Sequence, residues 1–138
     1  MISVHRKLVL IFLTVLLDIG FLYVIKNESL NEFDKNYLYN LFVIHIIFIV
    51  ALIYNIKLII DVSHCFMFIA IYLGFMIENK SILIILFSLS LIQSILKEIV
   101  GECILSTEQH SLFGQNVDKY NQYCVYIILA VLLYKIML

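Results

Sequence analysis

Few side chains in this sequence could do chemistry, and the two that stand out are ionisable groups set inside apolar runs. Asp18 lies in the run 8–25 and His45 in the run 37–57. An Asp near the centre of a membrane helix costs about 2.5–3.5 kcal/mol on insertion scales, so it needs a partner or water. Counted from the near ends of their runs at a rise of about 1.5 Å per residue, Asp18 and His45 both lie about 10–12 Å deep. Ser90, in the run 82–100, falls at the same depth. An acid and a base at one level can pass a proton, line an ion path or bind a small polar ligand. The same two groups can also do no more than lock two helices through a buried hydrogen bond.

The run 82–100 adds Ser90, Gln93, Ser94 and Lys97 at i, i+3, i+4 and i+7, which is one face of a helix. Lipid leaves such groups unsatisfied, so the stripe is expected to meet other spans, a water-filled cavity or a neighbouring subunit. Asp18, His45, Ser90 and Gln93 form the expected buried polar core. A second constellation is Glu98, Glu102, Cys103, Glu108 and His110, just beyond that stripe. Glu98 and Glu102 are four apart on one helical face, and His110 could join them as a metal ligand or general base. A charged, solvated helix end followed by a new cap at 106–109 accounts for the same residues. No metal site is assigned on this pattern, and no cofactor is expected.

The remaining polar residues carry less. Asp61, His64 and Cys65, at the start of the run 62–77, read as ordinary interfacial groups. Three cysteines, Cys65, Cys103 and Cys124, form an odd set without CxxC spacing, so neither a disulfide framework nor a zinc site is indicated. The sequence holds no Gly-rich phosphate loop, Ser-His-Asp order or HExxH.

The elements that must position these groups follow from composition. Of 138 residues, 64% are hydrophobic and 14% charged, Pro and Trp are absent, and mean hydropathy is +1.07. Soluble domains are nearer half apolar and a quarter charged. A chain this short has too high a surface-to-volume ratio to hide the excess, so its solvent is expected to be lipid. A helical span needs about 17–25 mostly apolar residues. The runs 8–25, 37–57, 62–77, 82–100 and 123–138 meet or approach that length. The expected fold is all-α: one domain, 1–138, forming a polytopic bundle of five transmembrane helices, or four if 62–77 is re-entrant.

Orientation is less strongly marked. Arg6-Lys7 precede 8–25 with no small-x-small cleavage site after it, so this segment reads as a retained signal anchor. With five spans, Arg6, Lys7, Lys57, Lys97 and Lys119 share one side and Lys26, Lys35, Lys80 and Lys135 the other. That slight excess puts the N-terminus on the cytoplasmic side or its equivalent. Asn27-Glu28-Ser29 and Asn79-Lys80-Ser81 match the glycosylation sequon, both opposite the N-terminus. A net charge of −1 with no Lys/Arg cluster speaks against a nucleic-acid partner. The expected partners are the lipid bilayer and membrane-protein subunits or a second copy of the chain.

Asp34-Lys35 before the second span, Glu98 near a later helix end, and Asp118-x-x-Asn121 before the last span distantly resemble the order of acidic and polar positions in VanZ-like membrane proteins. That family keeps these positions on one membrane face, whereas five spans put Asp34 and Glu98 on opposite faces, and the family's Arg is missing here. No residue role is carried over. The expected function is that of a small bundle acting through packing or oligomerisation in a membrane assembly. The alternatives are an ion, proton or solute conductor built on Asp18 and His45, and a membrane-embedded lipid-modifying enzyme using Glu98 to His110.

Overall fold

In hydrocarbon each peptide group must find its partner within its own segment, which makes helix the outcome for long apolar runs. The computed structural model describes residues 4–100 and 114–138, with side chains at 4–99 and 123–138. All regular structure among the described residues is helical: α1 Val4–Asn27, α2 Glu32–Tyr54, α3 Lys57–Leu73 continued by a single 3-10 turn Gly74–Met76, α4 Lys80–Val100 and α5 Gly114–Met137. α1, α2, α3 with its turn, and α4 are each long and apolar enough to cross a bilayer, and the apolar part of α5, Tyr123–Met137, is shorter. The chain has the architecture of an all-α membrane bundle, and these helices fit an integral, multi-pass membrane protein.

Local chemistry sets the helix ends, which differ from the limits read off hydropathy. α2 starts at Glu32 rather than at 37, because the Asn31 side chain accepts from the Asp34 backbone N–H at 2.7 Å and caps the polar first turn. It stops at Tyr54 rather than 57, where Asn55 turns left-handed at φ 57°, a conformation Asn tolerates better than most residues. The Lys7 ammonium donates to the Asn55 side-chain oxygen, tying the start of α1 to this turn. α3 then begins at Lys57 rather than 62. α4 is capped by Asn79, whose side-chain oxygen accepts from Ile82 N–H at 3.1 Å.

α1 packs on α2 and α4, α2 on α3, and α4 on α5, while α5 also reaches the 3-10 turn that ends α3. That last contact is polar: the Lys135 ammonium donates to the carbonyls of Phe75 at 2.6 Å and Ile77 at 2.5 Å. Gly74 lies where these elements meet closely: a Cβ there would be 3.1 Å from Leu86 Cδ1, so that side chain would have to give by a few tenths of an ångström, and 3.4 Å from Leu132 Cδ2. The buried apolar residues fall into two clusters. The larger, around Phe21, Leu38, Ile77, Ile82, Leu86 and Leu132, lies towards the end holding the 27–32 and 77–80 connections. The smaller, Leu10, Phe48, Ala51, Leu52 and Ile60, lies towards the Asn55 turn. The polar pair sits between them.

Candidate functional site

The site is built where α1 and α2 face each other. Both helices are almost uniformly apolar here, and among the described residues Asp18 and His45 are each other's side-chain partner. His45 Nδ1 and Asp18 Oδ1 are 2.6 Å apart, with His45 only 3% exposed and the Asp18 side chain 17%. This is a short hydrogen bond in a low-dielectric setting, where it is stronger than in water. It joins two residues 27 apart in sequence and sets the rotation of one helix against the other.

The other polar residues near this level turn back onto their own helices. Thr14 Oγ1 donates to the Leu10 carbonyl at 2.8 Å, Ser90 Oγ to Leu86 at 2.8 Å and Ser94 Oγ to Ser90 at 2.9 Å. Ser90 is buried, so the fourth helix does turn this part of its stripe inward. Gln93 is half-buried rather than fully enclosed, because it stands on the rim of a cavity. Ser88, on the same helix, also borders that cavity.

The cavity has a volume of about 300 Å³ and lies among α1, α2, α3 and α4. Its walls are Leu, Ile, Phe, Met, Ala and Gly residues, interrupted only by Thr14, His45, Ser88 and Gln93. Thr14, His45 and Gln93 each stand thirteen residues inside their helices, counted from the ends at Asn27, Glu32 and Lys80. That spacing corresponds to about 20 Å along each axis and puts all three near one level.

Of the second constellation, Glu98 is exposed at the end of α4 and accepts from the Tyr126 hydroxyl of α5 at 3.2 Å. Glu102, Cys103, Glu108 and His110 lie outside the described residues. Cys65 and Cys124 are free thiols, both half-buried. Asp61 and Ser63 are buried in the first turns of α3, while the rings of His64 and Phe68 lie with centroids 4.7 Å apart. Among the described residues no group of three or more His, Cys, Asp or Glu is arranged to hold a metal ion.

Sequence reasoning did not find a polar clasp at the opposite end. Asp34 is 1% exposed, and its carboxylate accepts from the backbone N–H of Glu78 at 3.3 Å and of Asn79 at 2.9 Å. Around it the Asn31 amide donates to Glu78 at 2.9 Å, and Glu28 accepts from the Asn79 amide at 2.7 Å and the Ser81 hydroxyl at 2.5 Å. The hydrogen bonds from Ser81 and then Asn79 hold the Glu28 carboxyl below the usual carboxylate range. The clasp joins the α1–α2 connection to the start of α4. Both sequon asparagines lie at this end, and Asn79 already spends its side chain on the α4 cap and on Glu28. No protein-family model, no curated protein and no solved structure matches the chain.

Proposed function

We propose that the chain works as a small membrane bundle whose effect comes from packing, against itself or against partner subunits in a membrane assembly, and not from conduction. One observation supports this reading above the others: Gln93 and the second ring nitrogen of His45 apart, the polar groups between the two core clusters bond to one another or to their own helix. Asp18 pairs with His45, and Thr14, Ser90 and Ser94 bond to carbonyls of the preceding turn. A conducting path needs successive polar groups open to water, whereas the space beside the pair is walled almost entirely by hydrocarbon. A paired Asp and His instead fix helix register, a use of polar groups common in membrane bundles.

The experiment is a flux measurement on reconstituted vesicles under an imposed pH gradient, with crosslinking in the same membranes. The packing reading expects no flux above empty vesicles, no change on Asp18→Asn, and crosslinked species larger than one chain. A pH-dependent flux that Asp18→Asn abolishes would establish the conductor reading, in which Asp18 and His45 hand protons between helices.

A further inference from the structure

The cavity beside His45 has the size of a ligand site and a particular hydrogen-bonding polarity. We propose that it binds a neutral, mostly apolar molecule of about two fused rings carrying one carbonyl, which accepts a hydrogen bond from His45 Nε2. The size follows from the volume. An apolar cavity of roughly 150 Å³ takes one benzene, and this one measures about 300 Å³. Ligand pockets begin near that value.

The polarity follows from the pair. Nδ1 of His45 is engaged by Asp18, and among the described residues no buried side-chain nitrogen or oxygen lacks a partner, so Nε2 keeps access to the space His45 borders. With hydrocarbon around the pair, the arrangements without net charge cost least. Net neutrality allows two proton arrangements: a carboxylic acid donating to Nδ1, or a carboxylate accepting from a protonated ring. In both, Nε2 carries a hydrogen, so the cavity presents a donor whichever partner holds the shared proton. The matching ligand atom is an acceptor.

The rest of the wall selects further. Apart from His45 no titratable side chain lines the cavity, so a charged ligand would be left uncompensated. Gln93 borders the same space at the level of His45 and offers a second polar contact. The acyl chain of a bilayer lipid would fill the apolar part and leave both groups unmatched.

The test uses the full chain in lipid nanodiscs with two probes of nearly equal shape: 2-acetylnaphthalene, and 2-isopropenylnaphthalene, in which CH₂ replaces the carbonyl oxygen. We expect saturable binding of the ketone, one per chain, about tenfold tighter than the hydrocarbon, as one buried hydrogen bond implies. His45→Asn keeps a donor for Asp18 but lacks the second ring nitrogen, and should bring the two probes to equal affinity. The carbonyl stretch of ketone bound to the unaltered protein should move to lower wavenumber than in protein-free nanodiscs, a readout that does not depend on the variant folding. Non-saturable partition into the bilayer, equal affinity of the two probes for the unaltered protein, or an unshifted carbonyl overturns the proposal.

Discussion

Replacing Asp34 by Ala should destabilise the bundle by about 2–5 kcal/mol, and the structure shows where that figure comes from. The carboxylate is almost fully enclosed and accepts two backbone N–H groups, those of Glu78 and Asn79. Leaving such a donor without an acceptor costs about 1–3 kcal/mol. Glu78 is exposed and Asn79 half-buried, so water recovers part of this and the lower half of the range applies to each. The carboxylate also lies in the first turn of α2 and beside the start of α4, and a negative charge at a helix N-terminus adds about 0.3–1 kcal/mol. Asp34→Asn keeps an acceptor oxygen but no charge, and should lose roughly half as much. The assay is equilibrium unfolding in mixed micelles by added dodecyl sulfate, followed by the near-ultraviolet dichroism of the tyrosines. Lys35→Ala, one residue along and exposed, is the control. If Asp34→Ala tracks that control, the clasp does not hold the helices and the reasoning fails.

Asp18→Asn should change stability by less than about 1 kcal/mol, since the amide keeps a hydrogen-bonding group towards His45, whereas Asp18→Leu should cost about 1–3 kcal/mol by leaving a buried ring nitrogen unmatched; the same unfolding curves compare them. Glu28 makes the clasp pH-sensitive. Its carboxyl lies below the ordinary value of 4.5, so its contribution is fully present above that value and disappears as pH falls through the lower folded-state value. Glu28→Gln should remove that part of the acid loss, read as a flatter dependence of the unfolding midpoint on pH. Gly74→Ala should destabilise by about 1 kcal/mol, the low end of overpacking costs, because its methyl group would press on the movable end of Leu86 at the junction of three helices. Gly20→Ala is its control, since the nearest atom to a Cβ there is Ile85 Cδ1 at an ordinary 3.6 Å.

Much of this architecture is visible in the sequence because lipid imposes a simple rule on the chain: apolar runs of span length become helices. Asp18 and His45 are legible for the same reason, each being the strongest polar group in its run. Helix ends are less visible. The polar turn Glu32–Asn36 lowers hydropathy yet is helical, because a side-chain cap from Asn31 acts there and no hydropathy average registers it. Asp34 looks like a solvated charge before a span; its burial depends on the 78–79 segment, more than forty residues away, folding over it. Asp61 is likewise buried, at the start of α3. The serines and Gln93 illustrate a further limit. Periodicity places them on one face, but Ser90 and Ser94 bond within their own helix while Gln93 meets a cavity, and spacing alone does not distinguish these fates.

The Lys135 contacts bear on how the bundle is made. The carbonyls of Phe75 and Ile77 are complete only when an ammonium from the fifth helix reaches them, about sixty residues later in the chain. Left to α3 and its 3-10 turn alone, these acceptors would be ones that lipid cannot match. Lys135 thus finishes a helix to which it does not belong: the hydrogen bonding that α3 leaves open at its end is completed from α5.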